Sequence, residues 1–299
     1  TQYLESVLNS RGLTRTLGEI DVCRDAQGRP CFSAGNSAAV FRIRLGGRIR
    51  SLRCYLRPMR HLKEIYGQRL LEKELYLHTS PETGVWVDTV LGDWIEGSTL
   101  HETVAQAAAL RDRECLQILV RLFDRLALAL VTDDRAHGDL KPENIIVGDD
   151  GTLCPIDFDA SYLPAFAGEI SPELGTAAYQ HPARTAADFD ERIDDYPAAL
   201  ISTALHALAE DPTLWDRYGS SDGLLYTPQR IASDPAYRET LALFEKRGMA
   251  VQYRIAQLLT APTLRLFGLA ELLAEAVREK PAARSGTEAE TPELFVENG

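Results

Sequence analysis

The hydrophobic period of the chain changes at Gly97, and that change limits the possible architectures more than any other feature. Before it, apolar and polar residues alternate in short runs. Val40-Phe41-Arg42-Ile43-Arg44 alternates, Gly46-Gly47 supplies a turn, and Ile49 to Leu56 alternates again. A period of two on both sides of a two-glycine turn predicts an antiparallel hairpin. Pro58 ends it. His61 to Leu71 predicts a short helix with Leu62, Ile65 and Tyr66 on one side. Glu74 to His78 and Val85 to Leu91 predict two more strands around the turn from Ser80 to Gly84. After Gly97 the period becomes helical. Leu116, Leu119, Val120, Phe123, Leu126 and Leu130 share one face, so a long buried helix is expected to end near Asp133. Ile145-Ile146-Val147 and Leu153 to Ile156, joined by Gly148-Asp149-Asp150-Gly151, predict a small hairpin. Helical spacing returns at Ile193, Leu200, Ile201, Leu205 and Leu208. Further helices are expected over roughly Pro235 to Lys246, Met249 to Leu259 and Phe267 to Arg278. A strand-rich first part followed by a helix-rich second part predicts an α+β fold of two lobes.

Composition excludes several function classes. The 299 residues are 45% hydrophobic, enough for one large domain or two lobes. With 32 Lys+Arg against 44 Asp+Glu, the formal charge of -12 opposes a phosphate backbone, so no nucleic-acid partner is expected. The Arg-rich stretch from Arg42 to Arg60 reads as solvated strand and loop surface. Cys23, Cys31, Cys54, Cys115 and Cys154 are odd in number and form no CxxC pair. They are expected to be reduced thiols in a cytoplasmic protein. Thr1 to Arg11 has no signal-peptide pattern, and the longest apolar stretch, Leu116 to Val131, is broken by Arg121, Asp124 and Arg125. No membrane partner is expected. The segment from Lys280 to Gly299 is rich in Ala, Glu, Thr and Pro and reads as a linker, with Glu293-Leu294-Phe295-Val296 suggesting further domains beyond residue 299.

The chemistry concentrates just past the join. His137-Gly138-Asp139-Leu140-Lys141-Pro142-Glu143-Asn144 is followed, beyond the predicted hairpin, by Asp157-Phe158-Asp159. Phosphoryl transfer needs positioning, charge neutralisation by magnesium and a group that orients the attacking hydroxyl. Magnesium takes oxygen ligands. Asp139 can accept a proton, Asn144 offers an amide oxygen to metal, and Asp157 offers a carboxylate.

These residues resemble eukaryotic-type protein kinases, most nearly the serine/threonine type. His137 to Asn144 is similar to their catalytic loop, and Ile156-Asp157-Phe158-Asp159 to their metal-binding triplet. Gly175-Thr176-Ala177-Ala178-Tyr179-Gln180-His181-Pro182 resembles the end of the activation segment. Asp194-Asp195-Tyr196-Pro197 resembles the start of the central buried helix, with Asp194 holding the catalytic loop. Gly92-Asp93-Trp94-Ile95-Glu96-Gly97 resembles the hinge that holds adenine through backbone groups. The five matches fall in order over roughly Phe32 to Leu273.

The resemblance implies a bilobal protein-kinase-like fold. An N-terminal extension would span 1–30, a small β-rich N-lobe 31–97, a larger α-helical C-lobe 98–279 and a linker-like tail 280–299. It implies ATP and Mg2+ as cofactors and a protein hydroxyl as acceptor, so a protein substrate is the expected partner. Asp139 would be the base or orienter and Lys141 a contact to the phosphoryl group. Asn144 and Asp157 would hold metal, and His137 would pack beneath the metal-binding triplet. Nucleotide binding would fall to Gly35, Asn36, Ser37 and Val40, to Arg53 with Glu64 as its partner (Glu72 as the fallback), and to Asp93 and Ile95.

The sequence departs from the family's pattern in six places. The glycine-rich loop keeps only Gly35, with Ser33 and Ala38 at the other glycine positions. Arg53 stands where the phosphate-gripping strand lysine is usual, and a guanidinium fork aims its donors differently from an ammonium. Asp159 replaces a glycine after the metal-binding Asp157, which would stiffen that loop or add negative charge. Gly138 stands where many kinases carry an arginine that reads a phosphate on the activation segment. Ala183 replaces the glutamate that ends that segment. Gly92 stands at the gatekeeper position, implying an enlarged pocket behind the adenine. Two alternatives therefore stand beside an active kinase. One is a pseudokinase that binds nucleotide and scaffolds signalling, favoured by Arg53 and the eroded loop but opposed by the intact Asp139, Asn144 and Asp157. The other is a small-molecule phosphotransferase, suggested by His-Gly-Asp and opposed by Leu140 to Asn144.

Overall fold

The hairpin predicted around Gly46-Gly47 is the spine of an antiparallel sheet in the computed structural model, which describes residues 2–279 except 36 and 81. Thr1 and the expected linker 280–299 lie outside the described residues. The chain divides into two compact units, one extending to Ile95 and one beginning at Glu96.

In the first unit, helix α1 (Gln2–Leu8) precedes strands β1 (Asp21–Val22), β2 (Phe32–Ala34), β3 (Ala38–Leu45) and β4 (Arg48–Tyr55). Helix α2 (Leu62–Tyr66) then leads to β5 (Leu70–His78) and β6 (Gly84–Asp93). The sheet order is β1-β3-β4-β6-β5, with β2 also paired to β3. Gly46 and Gly47 join β3 to β4 with φ of +56° and +78°, the left-handed pair that a two-residue hairpin turn requires. Alternation sorts the side chains. Phe41, Ile43, Leu52 and Cys54 are buried on one face, where Val7, Ile20, Val22 and Leu75 join them. The first thirty residues therefore enter the core of this unit through Val7, Ile20 and Val22. The helix expected over His61 to Leu71 is shorter: Gly67, at φ +50°, closes α2, and a single 3-10 turn (Gly67–Arg69) leads into β5. Glycine gives the backbone that turn without a Cβ penalty.

The second unit is mainly helical. Strand β7 (Gly97–Thr99) and helices α3 (Leu100–Ala109) and α4 (Arg113–Thr132) come first. The β8 (Ile145–Gly148) and β9 (Leu153–Pro155) hairpin follows, with β7 pairing β8. Helices α5 (Asp195–Glu210), α6 (Leu214–Tyr218), α7 (Pro235–Arg247), α8 (Ala250–Leu258) and α9 (Leu269–Arg278) complete it. The predicted apolar face of α4 is buried along its length. Helix α5 is buried on nearly every side, so α4 and α5 form the centre of this core. The α+β class expected from the change of period is thus observed, as an antiparallel sheet unit followed by a helical one.

One polar cluster crosses the centre of that core. Asp124 of α4 is buried and accepts hydrogen bonds from Ser202 Oγ at 2.7 Å and His206 Nε2 at 2.8 Å, both on α5. A buried carboxylate is tolerated only when its lone pairs are satisfied, and removing one partner strands the rest. Asp124→Ala should therefore lower stability by about 3 kcal/mol, read as a shift in the urea midpoint. His206→Phe, which leaves Ser202 bonded to Asp124, should cost less.

Candidate functional site

The 137–144 loop is held from below by one carboxylate. Asp194, buried at the start of α5, accepts from the backbone N–H of His137 and from that of Gly138, the latter at 3.0 Å. Two amide donors on one carboxylate fix the peptide plane that carries the loop. Gly138 is required here. Its φ is +82°, and a Cβ on it would lie 2.0 Å from the carbonyl oxygen of Ala160. His137 is fully buried; its Nδ1 accepts from the Asp139 N–H at 3.4 Å while Nε2 meets the Ile156 carbonyl at 2.8 Å. Those roles match the tautomer protonated on Nε2. The His137 ring lies 5.0 Å from that of Phe158, so it packs against the triplet.

Asp139 is the focus of the loop. Its Oδ1 accepts from Thr176 N at 2.6 Å, and its Oδ2 lies 3.2 Å from both Asn144 Nδ2 and Lys141 Nζ. Lys141 Nζ also donates to Thr176 Oγ1 at 2.8 Å. Thr176, although it follows Gly175 in the stretch that resembles the end of an activation segment, has no residue-type signal of its own for this role. Its signal was the glycine: Gly175 has φ +72°, and a Cβ there would meet Gly138 O at 2.8 Å and Asp139 Oδ1 at 3.0 Å. The close approach that delivers Thr176 to Asp139 leaves no room for a larger residue.

Asn144 and Asp157 are brought together by the small hairpin. Ile145 pairs with Pro155, and Ile156 N donates to Asn144 O at 2.8 Å, which sets Asp157 one residue beyond that bond. Asn144 commits its Nδ2 to the Asp139 carbonyl at 3.0 Å and to the carboxylate, leaving Oδ1 as an acceptor. Asp157 has φ +68°, a backbone region sparse for non-glycine residues and enriched where structure is held for function. Asp159, the unusual third residue, is buried in the turn after it. An amide oxygen and a carboxylate are the hard donors that magnesium takes, with phosphates and waters completing its shell. Among the described residues no group of three or more His, Cys, Asp or Glu side chains forms a self-sufficient metal cage. The donor set fits a metal shared with a phosphate ligand.

The first unit carries the other predicted residues. The hairpin of β2 and β3 turns through Gly35, whose N–H donates to Ala38 O at 2.9 Å, and Ser37, whose carbonyl accepts from Leu56 N at 2.8 Å. Asn36 lies outside the described residues. Val40 is the cross-strand partner of Arg53, which also pairs with Val90, so these three side chains share the face opposite the core. The Arg53 guanidinium lies 5.7 Å from the centre of the Tyr55 ring. Glu64 on α2 and Glu72 on β5 are both exposed. The buried glutamate is Glu74, whose carboxylate accepts from the backbone of Arg15, Thr16 and Leu17 and so fastens the N-terminal segment to β5. Sequence reading missed it because a strand glutamate ordinarily faces water. Gly92 pairs with Ser51, and a Cβ on it would lie 2.8 Å from Ser51 Oγ. Asp93 forms an ion pair with Arg50, and Ile95 is half-buried at the end of the unit.

Comparisons with known proteins point the same way over part of the chain. It is 27% identical over 173 residues to CBL-interacting protein kinase 17 of Oryza sativa subsp. japonica, covering 55% of this chain and 35% of that one. It is 34% identical over 113 residues to the serine/threonine-protein kinase PknL of Mycobacterium tuberculosis, covering 36% of this chain and 27% of that one. The match to PknL of Mycobacterium bovis has the same extent. The chain thus spans about a third or less of the length of these relatives. No family model matches the sequence. The similarity supports a generic kinase-like phosphotransfer.

The geometry at Gly138 makes a sharp prediction. Gly138→Ala, and still more Gly138→Arg, should lower stability by at least about 2 kcal/mol through the clash with Ala160 and the left-handed backbone. A thermal melt of each variant against wild type checks this; an unchanged melting temperature contradicts the geometry.

Proposed function

We propose that this chain carries out ATP- and Mg2+-dependent phosphoryl transfer to a serine or threonine hydroxyl of a protein substrate. The observation that carries the reading is the bonding of the Asp139 carboxylate. A carboxylate offers about four lone-pair positions. Thr176 N and Asn144 Nδ2 donate to two of them, and Lys141 Nζ forms an ion pair with Oδ2 at 3.2 Å. Acceptor capacity remains for an incoming hydroxyl, on a side chain 17% exposed. Asp139 orients that hydroxyl and receives its proton as the oxygen attacks the γ-phosphorus, while the bond to the β,γ-bridging oxygen breaks and its electron pair leaves with ADP. Lys141, tied to Thr176, places a point charge beside the transferring group. Asn144 and Asp157 would hold the magnesium, which when bound would supply charge neutralisation on the phosphate oxygens. Gly35, Ser37 and Val40, with Asn36, would cover the phosphates, Arg53 would grip them, and the backbone at Asp93 and Ile95 would hold adenine.

With magnesium and labelled ATP, wild type should transfer label to itself or to a generic protein substrate. Asp139→Asn should reduce the rate about a hundredfold or more, and Lys141→Ala should also reduce it. Transfer that survives Asp139→Asn at the wild-type rate would remove Asp139 from the mechanism.

A nucleotide-binding pseudokinase is the second reading, favoured by the guanidinium at position 53. The two part on Arg53→Lys. If Arg53 grips phosphates in an active enzyme, the lysine variant should stay active but with a raised rate or a shifted affinity for ATP. Measurable ATP affinity with no transfer from either protein is the outcome expected of the scaffold, and an unchanged affinity and rate would mean Arg53 does not meet the phosphates.

A further inference from the structure

Arg184 lies two residues beyond Pro182, within the second unit, and its side chain reaches back to the 137–144 loop. Its Nη1 donates to the carbonyl oxygen of Gly138 at 3.2 Å and to Gln180 Oε1. The guanidinium is largely withdrawn from water. Burial pulls its pKa down, and Asp194, Asp139, Asp188 and Asp190 act against that pull, in that order of size. A cation therefore sits under the peptide that carries Asp139, close to both Asp139 and Asp194. Gly138 contributes no side chain of its own.

A second observation concerns the segment from Asp157 to Pro182. Activation segments ordered by phosphorylation need an accessible hydroxyl and an arginine ready to receive the phosphate. Here Ser161, Tyr162, Ser171 and Tyr179 are buried. The remaining hydroxyl, Thr176 Oγ1, is half-buried and bonded to Lys141. Nη1 of Arg184 is already engaged with a carbonyl and an amide oxygen, while its Nε and Nη2 are buried with no hydrogen-bond partner among the described residues.

We propose that Arg184 is a positioning residue that holds the 137–144 loop in place constitutively, so that catalysis does not wait on phosphorylation of residues 157–182. The hydrogen bond to Gly138 fixes the peptide between Gly138 and Asp139. This rests on the phosphotransfer reading above, and the experiment separates the two. Wild type, Arg184→Met and Arg184→Lys are compared as the full chain. Three measurements are made: kcat and KM for ATP with a generic protein substrate, hydrogen exchange of the amides from 136 to 144, and the melting temperature.

Arg184→Met should lower kcat at least tenfold, leave KM for ATP within about twofold, and speed exchange at Gly138 and Asp139 at temperatures where the protein is folded. Arg184→Lys, which keeps the charge but not the fork, should recover part of the lost kcat. Phosphatase treatment of wild type should leave kcat unchanged. The proposal is overturned if folded Arg184→Met keeps both kcat and exchange, or if removing a phosphate from residues 157–182 abolishes activity. Should Arg184→Met fail to fold, Arg184→Lys decides. Lower kcat with faster exchange at an unchanged melting temperature supports the proposal, and wild-type behaviour in both overturns it. If wild type transfers no phosphoryl group, the phosphotransfer reading fails, and the exchange measurement alone still decides whether Arg184 holds the loop.

Discussion

The bonds from the amides of His137 and Gly138 to the carboxylate of Asp194 are the constraint on which the site depends. The 137–144 loop has no regular ladder of its own to fix it. Its peptide planes are set instead by a charge buried at the head of the most enclosed helix in the second unit. Once those planes are fixed, Gly138 must take a left-handed conformation, Asp139 is presented toward Thr176, and His137 is turned down against Ile156 and Phe158. A carboxylate paired with amide donors in low dielectric is strong and directional. It transmits the rigidity of α5 to a segment that would otherwise be a mobile loop.

The same logic explains why glycine and threonine matter beside the charged residues. Asp139 would be a solvated loop aspartate without Thr176, Lys141 and Asn144, and Thr176 reaches it only because Gly175 lets two backbones approach closely. The oxygen donors Asn144 and Asp157 become neighbours because a four-residue turn closes the β8–β9 hairpin. The first unit shows a parallel economy. Glu74 uses its charge to bind the amides of residues 15–17, which converts the first thirty residues from a loose leader into part of the core.

Much of this was legible in the sequence, and the reason differs by element. The hairpin of β3 and β4 was readable because alternation and the Gly46-Gly47 turn each specify it independently. Helix α4 was readable because its buried face keeps one period for twenty residues. The α2 segment was overestimated because Leu62, Ile65 and Tyr66 suit a helix, while Gly67 stops it through a conformation that the pattern of apolar residues does not encode. The sequence pattern marks no role for Thr176 or Arg184, because the bonds that matter join them to Asp139 and Gly138, 37 and 46 positions away. No local period announces such a bond.

The sequence by itself determined the division into a strand-rich and a helix-rich part, the order of the elements, and the residue types of a phosphotransfer-like loop. Those follow from local periodicity and side-chain chemistry, which a chain carries before it folds. Only the tertiary structure decided that Gly138 cannot be replaced, that Asp139 is held on three sides, and that Arg184 reaches the carbonyl of Gly138. Each of these depends on backbone atoms far apart in the chain being pressed within a few ångströms of one another, and packing alone sets those distances.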